Sequence, residues 1–449
     1  MNNAPHVLLV NPWIHDFAAY DFWARPYGLL SLGAVLRDHG VRVFFVDCLD
    51  RRHPAAKGGD PRSRHGRGPY LKTPIAKPAL LAHIPRTYSR YGIRPEWLQA
   101  DLAALEPPPD LILVTSMMTY WYPGVFETIA MLRRCLPGVP LVLGGIYARL
   151  CADHARAFSG ADAVVTDTGR TLWTLVREYT GWDVTPRYAP DDWLAAPPPA
   201  FDLQRRVTYI PLLTTRGCPF RCAYCASGFL EPRMQRQPYR KVVAQIEQWH
   251  RQYGVVDFAF YDDALLVDAA HHALPLLEAI VRSALSLRFH TPNALHIRAI
   301  DAETAALMFR AGFHSIRLGL ETTAFHDRAD LDAKVTEQEF LQAVAHLKRA
   351  GFRPGHIGAY LLVGLPGQTQ AAVEQAMAVV KAAGVVPVPA HYTPIPHTSL
   401  WPAAVAASPY DLAADPLLTN NAIAPCSRQG FSWETLTRLK RLAVPCGQF

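Results

Sequence analysis

The sequence predicts an α/β protein made of two successive parallel-sheet units: an N-terminal doubly wound sheet over residues 1–180 and six further βα units from residue 207. Three observations carry this prediction. Five short apolar runs alternate with segments of helical spacing in the first 180 residues, and six more alternate with helices after residue 207. Between them, residues 181–206 hold Pro186, Pro190, Pro197, Pro198 and Pro199 with little periodicity, which marks a linker. The 449 residues suffice for two or three domains with their own cores. Half of them are apolar and 18% charged, the composition of a globular chain and not a disordered one.

The first strand is residues 6–10, and Asn11-Pro12 ends it. A loop carrying Trp13, Phe17, Tyr20, Phe22 and Trp23 follows. Leu29, Leu32, Gly33 and Leu36 then recur at helical spacing until Gly40, and residues 41–46 form a second strand ending at Asp47. Residues 111–115 give a third strand, and Val125, Ile129, Leu132 and Leu136 line one face of the next helix. Residues 139–143 and 161–166 add strands four and five, with helices from about Ala148 and Thr171. Short strands alternating with helices predict an open sheet whose ligands sit at the carboxyl ends of its strands.

Charge is unevenly placed. Residues 51–95 hold eleven Lys and Arg against Asp60 alone, a net +10; the whole chain is +7, so the remainder carries −3. Such a segment is either a solvated insertion or a surface for anions, nucleic acid or membrane headgroups, and Tyr70, Tyr88 and Tyr91 within it keep a substrate role open. Residues 1–12 lack the basic start and long apolar run of a signal peptide. The longest uncharged stretch, residues 382–410, holds six prolines and two histidines, which argues against a helix in lipid. The expectation is a cytoplasmic protein with no transmembrane segment. Cys48, Cys135, Cys151, Cys426 and Cys446 show no disulfide-framework spacing, which suits a reducing compartment.

From residue 207 the strands fall at about 207–213, 255–261, 287–290, 315–320, 357–363 and 385–391, separated by helices near 242–253, 273–285, 302–311, 338–350 and 371–383. The first strand leads into Gly217-Cys218-Pro219-Phe220-Arg221-Cys222-Ala223-Tyr224-Cys225, three thiols within eight residues. Soft sulfur ligands select iron-sulfur clusters or zinc. A structural zinc site closes with four ligands, and no second Cys or His pair follows at zinc-finger spacing. A cubane cluster normally takes four Cys, so three leave one iron open to a substrate or cofactor.

Cys-x3-Cys-x2-Cys with an aromatic residue before the last Cys resembles the signature of the radical S-adenosylmethionine (SAM) superfamily. The resemblance implies that Cys218, Cys222 and Cys225 hold a [4Fe-4S] cluster whose open iron chelates SAM, that SAM is cleaved to a 5'-deoxyadenosyl radical, and that the six βα units form a partial (β/α)6 TIM barrel over 207–396. It also implies SAM contacts from Tyr224, from Asp262 and Asp263 after strand two, from Glu321 in Gly319-Leu320-Glu321-Thr322 after strand four, and from Leu362 and Gly364 after strand five. His290-Thr291-Pro292-Asn293 would line the pocket, a lone His or Asn there being more often structural. After strand six, residues 391–398 resemble a Pro-x-Pro-Gly-Thr turn with His397 in place of Gly, which puts the shape of the turn in question. Residues 397–449 read as a C-terminal cap, within which Cys426 is either a relay thiol or a buried structural Cys.

The N-terminal unit, residues 1–180 with the basic insertion 51–95, is similar to the cobalamin-binding domain found in many radical SAM proteins. The resemblance rests on Asn11-Pro12, on Ser116 after the third strand, and on Gly144-Gly145 after the fourth, 28 residues from Ser116 to Gly144. Glycines there would let a flat ligand approach the backbone. No Asp-x-His-x-x-Gly frame occurs, and His15 reads as a packing histidine, so the resemblance leaves cobalamin open. With it, the implied reaction is methylation of an unactivated carbon of a small-molecule substrate; without it, radical rearrangement, cyclisation or oxidation. A low-potential reductant such as flavodoxin or ferredoxin is implied in each case. A tRNA-modifying enzyme and a non-enzymatic cobalamin or redox sensor are the rival readings; the first lacks an evident RNA-binding module, which argues against nucleic acid.

Overall fold

The computed structural model describes residues 4–56, 63–189, 192–426, 431 and 433–443. Lys57, Asp60, Arg62, Pro190, Cys446 and parts of the expected cap (427–430, 432 and 444–449) lie outside the described residues. The chain divides into two compact units, residues 1–207 with 414–418, and residues 208–413 with 419–449.

The first unit is a five-stranded sheet of β1 (His6–Asn11), β2 (Arg42–Asp47), β3 (Leu111–Val114), β4 (Leu141–Leu143) and β5 (Ala163–Val164). Every pairing is parallel and the order is β5-β4-β3-β1-β2. Both faces are covered, which is why the strands read as unbroken apolar runs and not as alternations. Leu8 and Val10 of β1 face Val125, Ile129 and Leu132 of α2 (Tyr122–Cys135). Val7 and Leu9 face Leu29, Val35 and Leu36 of α1 (Tyr27–Asp38) with Trp173 and Val176 of α3 (Leu172–Thr180). Each such buried aliphatic side chain contributes about 1.5–3 kcal/mol. The order reverses between β1 and β3, so the loops after these strands flank the crevice where doubly wound sheets bind ligands.

The described residues of the basic insertion, 51–56 and 63–95, include strand-paired and buried segments. Ser89–Tyr91 pairs antiparallel with Ile14–Asp16 and with Lys72–Pro74, and Tyr70, Tyr88 and Tyr91 are buried. Part of its positive charge is spent internally: Arg51 pairs with Asp21 at 3.1 Å, and Arg90 pairs with Glu127. His15 lies 2.6 Å from the same Glu127 and is buried there. Burial alone would raise Glu127, but His15 and Arg90 hold it at about 2. Residues 181–206 do not behave as a free linker either. Phe201 is fully buried and Ala200 N donates to Leu30 O at 3.1 Å, which straps this segment to α1.

The second unit contains β6 (Ile210–Leu212), β7 (Asp257–Phe260), β8 (Arg288–His290), β9 (Phe313–Glu321), β10 (Ile357–Val363) and β11 (Val386–His391). These six strands pair in sequential order and in parallel, as in a partial (β/α)6 barrel. The helices between them are α4 (Tyr239–Tyr253), α5 (Ala273–Arg282), α6 (Ala302–Arg310), α7 (Glu337–Ala350) and α8 (Gln370–Ala382). A capping box of Thr336 and Glu339 starts α7. Beyond the barrel, α9 (Trp433–Ala443) packs on α8 and β11. No helix among the described residues is long and apolar enough to cross a membrane.

Candidate functional site

The cysteine loop leaves β6 through a clasp that sequence periodicity did not reveal. Thr215-Arg216 pairs antiparallel with Gln235-Arg236, closing residues 217–234 into one loop. Gly217 has φ +75°, and a Cβ there would lie 2.6 Å from Arg233 O, so the clasp requires glycine. Asp262 anchors the entry to the loop: its Oδ1 accepts from Thr214 N at 3.0 Å, Thr214 Oγ1 at 2.5 Å and Thr215 N at 2.5 Å. His272 Nε2 lies 2.8 Å from the same threonine hydroxyl. Burial outweighs these hydrogen bonds and pushes the Asp262 carboxyl up to about 6. Its second oxygen, Oδ2, is buried with no hydrogen-bond partner among the described residues.

Asp263 is tied to the cysteines. Its Oδ2 accepts from Ser227 Oγ at 3.0 Å, and Ser227 lies against Cys225, with Oγ 3.3 Å and N 3.4 Å from Sγ. Burial raises the Asp263 carboxyl, and the serine offsets part of the rise. Cys218 and Cys222 are half-buried and Cys225 exposed, all three unbridged. Burial pushes the Cys218 thiol up to about 11. His296 Nε2 stands 4.0 Å from Cys218 Sγ, and its ring stacks on Phe220 at 4.6 Å. Such sulfurs become ligands when a cation replaces their protons. Three soft donors on one loop suit an iron-sulfur cluster, and a buried carboxylate oxygen without a donor suits an ammonium group.

At the end of β9 a bulge falls between Gly319 and Glu321, and Glu321 has φ +64°. The bulge turns Glu321 into a buried network that sequence reasoning missed in part. Lys334 Nζ donates to Tyr224 OH at 2.7 Å and to Glu321 Oε1 at 3.3 Å. Arg328 binds Asp332 at 2.8 Å and donates to Leu320 O at 3.0 Å. Burial raises the Glu321 carboxyl, with Lys334 opposing. Burial pulls Lys334 down, but Glu321, Cys222 and Asp332 outweigh it and raise the ammonium. Lys334 lies 110 residues from Tyr224 in an irregular segment, so no periodicity could have linked them.

The turn after β10 is set by Gln368, whose Oε1 accepts from Gly364 N at 2.7 Å while its Nε2 donates to Leu362 O at 2.9 Å. Gly364 has φ +90°, and Leu362 is half-buried. After β11, His397 keeps a glycine-like φ of +68° and stacks on Phe229 at 4.2 Å, so the turn reaches a left-handed conformation without glycine. Two remote segments pin the cysteine loop at one residue: Ala223 N donates to Leu331 O at 2.7 Å, and Leu400 N donates to Ala223 O at 2.9 Å. His290, expected in a pocket-lining loop, is fully buried between Asp257 at 2.9 Å and Ser315 at 2.8 Å, a structural role. Cys426 is buried, its thiol pushed up to about 12 by burial.

In the first unit Ser116, Gly144 and Gly145 form one clasp. Ser116 Oγ donates to Gly144 O at 2.6 Å and accepts from Ala148 N at 3.3 Å, while Ile146 N donates to Ser116 O at 2.8 Å. Gly145 has φ +95° and ψ −170°, and a Cβ on it would meet Ser116 O at 2.3 Å. A Cβ on Gly144 would meet nothing within 4 Å. The close approach expected of a ligand is therefore made at Gly145 by the chain itself, and open space adjoins only Gly144.

Comparison with known proteins accords with this geometry. Residues 212–380 match the model of the radical SAM superfamily, so the chain carries a radical SAM domain, which implies a [4Fe-4S] cluster and SAM. An uncharacterised methyltransferase of Pyrococcus horikoshii is 25% identical over 47% of this chain and 46% of its own length. Another, from Synechocystis, is 26% identical over 59% of this chain and 51% of its own. The cytidylyl-2-hydroxyethylphosphonate methyltransferase of Streptomyces wedmorensis is 25% identical over 34% and 28%. The chain thus spans about half or less of the length of these relatives. In fold it is similar to the radical SAM methyltransferase TsrM of Kitasatospora setae, solved with cobalamin and a [4Fe-4S] cluster (TM-score 0.64, 19% identity, 90% of this chain and 76% of that one). It is also similar in fold to the cobalamin-dependent radical SAM enzyme OxsB (TM-score 0.58, 11% identity, 90% and 55%). The domain and the methyltransferase-named relatives indicate an enzyme.

Proposed function

Starting from the radical SAM domain of residues 212–380, we propose that this chain cleaves SAM reductively and methylates an unactivated carbon of a small molecule, with cobalamin on the first unit. The observation that carries the reading is that three thiols lie on one clasped loop whose entry is anchored by Asp262, and that Asp262 Oδ2 is a buried acceptor lacking a donor among the described residues. A cluster held there would supply the low-potential electron that breaks a carbon-sulfur bond of SAM, the 5'-deoxyadenosyl group would carry away the hydrogen displaced from the substrate carbon, and methylcobalamin would supply the methyl group. Cys218, Cys222 and Cys225 are the cluster ligands in this reading. Asp262 Oδ2, with Asp263 beside it, receives the SAM ammonium. Glu321 and Tyr224 bound the SAM pocket, and Leu362 and Gly364 offer backbone to its adenine side. Ser116, Gly144 and Gly145 form the cobalamin-side turn, with Gly144 as the open approach. Burial of Asp262 and Glu321 would limit water on that side of the SAM pocket. The electron donor is flavodoxin- or ferredoxin-like. The internal pairing of Arg51 and Arg90 favours a small substrate over nucleic acid, because paired arginines release few counterions.

The test is anaerobic reconstitution with iron and sulfide, reduction with dithionite, and addition of SAM with and without hydroxocobalamin. The expected products are 5'-deoxyadenosine and a chain that retains cobalamin. 5'-Deoxyadenosine without retained cobalamin would replace methylation by a rearrangement, cyclisation or oxidation. Replacing Cys218, Cys222 or Cys225 by Ala is expected to remove the cluster's visible absorbance and SAM cleavage together; full activity in any of them would refute the assignment.

A further inference from the structure

Lys334 stands where a cofactor pocket would not need a cation for packing. Its side chain is 12% exposed, and its ammonium faces Tyr224 OH, Glu321 and, at 3.8 Å, Asp332. It also lies 5.4 Å from the Tyr224 ring centroid. Arg328 already neutralises Asp332, so Lys334 is the cation matched to Glu321 and to the cysteine loop. Tyr224, whose hydroxyl accepts from Lys334, stands between Cys222 and Cys225 in the loop, so the buried ammonium is tied to the cluster-binding segment itself. A hydrogen-bonded line therefore runs from Glu321 through Lys334 to Tyr224 of the cysteine loop. The same segment is fixed to the loop by Ala223 N donating to Leu331 O.

From this line we infer that Lys334 is a positioning residue for electron entry: hydrogen-bonded to Tyr224, it holds a buried positive charge against the cysteine loop and so raises the potential at which a bound cluster would accept its electron. The inference rests on the radical SAM reading. Reduction adds one negative charge to the cluster and its thiolates. Nearby positive charge favours the more negative state, and burial keeps solvent from screening it. Glu321 acts in the opposite sense. A residue that only clamped the loop would change cluster content or thermal stability, with no ordered effect on potential.

The experiment uses the full chain, reconstituted anaerobically without SAM and titrated with titanium(III) citrate, each Ti(III) giving one electron to one cluster as it becomes Ti(IV). The reduced cluster is followed by electron paramagnetic resonance, and iron and sulfide are counted per chain. Lys334→Met and Tyr224→Phe are expected to shift the midpoint to more negative values at unchanged iron content, and Glu321→Gln to more positive values. The double variant Lys334→Met with Tyr224→Phe should match Lys334→Met alone, since both act on one line. Midpoints that stay at the wild-type value, or that all move the same way, would overturn the inference. Should Lys334→Met fail to assemble a cluster, Tyr224→Phe decides alone, because it removes a single oxygen. A wild-type chain that takes up no four-iron cluster would instead sink the radical SAM reading, and this inference with it.

Discussion

The Ser116–Gly145 clasp of the first unit is held by backbone groups and one hydroxyl, whereas the cysteine loop of the second is held by charged and polar side chains from the ends of several strands. Around Gly145 the contacts are Ser116 O, N and Oγ, all within 3.0 Å of where a Cβ would stand. Around the cysteines they are Asp262, Asp263, Lys334 and Glu321, which couple to protons and charge. A site made of backbone is intolerant of any added atom but indifferent to pH. A site made of buried carboxylates tolerates isosteric change but answers to pH.

The largest effect separates two adjacent glycines. Gly145 occupies a backbone region that is essentially restricted to glycine and touches a carbonyl that cannot move. Gly145→Ala should therefore cost about 3 kcal/mol or more in the first unit. Gly144→Ala meets open space and should change stability by less than about 0.5 kcal/mol, while reducing cobalamin retention if a flat ligand approaches there. Chemical denaturation of both variants, with hydroxocobalamin retention measured beside it, checks the pair. Equal destabilisation would erase the distinction between chain contact and ligand approach.

The next effect is in pH. Asp262 moves from an ordinary value near 3.8 to about 6, pushed up by burial against its hydrogen bonds from Thr214 and Thr215. Asp47 in the first unit moves equally, by burial against Arg25 and Asn11. A raised carboxyl means that the folded state binds the proton more tightly than the unfolded one. Its stabilising contribution is complete below about pH 4 and is lost as pH rises through about 6, on the order of 2–3 kcal/mol for each group. Thermal midpoints of the cluster-free chain should fall across this window. Asp262→Asn preserves an acceptor for Thr214 and Thr215 and should remove part of the fall, leaving the part due to Asp47 and to the raised carboxyls of Asp263 and Glu321. A wild-type slope in Asp262→Asn would show that the carboxyl is not the titrating group.

The two regions also differed in how far the sequence exposed them. Both sheets were legible because parallel strands covered on two faces give unbroken apolar runs, as in residues 6–10 and 357–363, and because turn residues punctuate them. The three cysteines were legible because a soft metal demands one residue type at fixed spacing. Asp262 and Asp263 could be named from their place after β7, but their division of labour could not: one anchors Thr214 and the other reaches Ser227, and both begin as Asp. Lys334, Arg328, His296 and Gln368 went unnamed because what places them is tertiary. The role of the insertion stayed open for the same reason, since a count of charges does not reveal that Arg51 and Arg90 find Asp21 and Glu127. Pro-rich residues 181–206 were legible as irregular chain, yet Phe201 anchors them by burial, which proline content does not encode.

The smallest effect tests whether positive φ alone makes a position belong to glycine. His397 and Gly145 both have positive φ, at +68° and +95°, but His397 carries a side chain that stacks on the Phe229 ring, nearly parallel at 4°. Left-handed geometry costs a non-glycine residue about 1–2 kcal/mol. The stack returns about 0.5–1.5 kcal/mol, and glycine would add unfolded-state freedom worth about 0.5–1 kcal/mol. These terms nearly cancel, so His397→Gly should shift stability by less than about 1 kcal/mol, whereas His397→Val keeps the strain, loses the ring and should cost about 2 kcal/mol. Thermal midpoints of the two variants decide it. A loss in His397→Gly as large as in His397→Val would mean that the ring stack, and not backbone freedom, holds this turn against the cysteine loop, and would make its left-handed residue a side-chain site unlike Gly145.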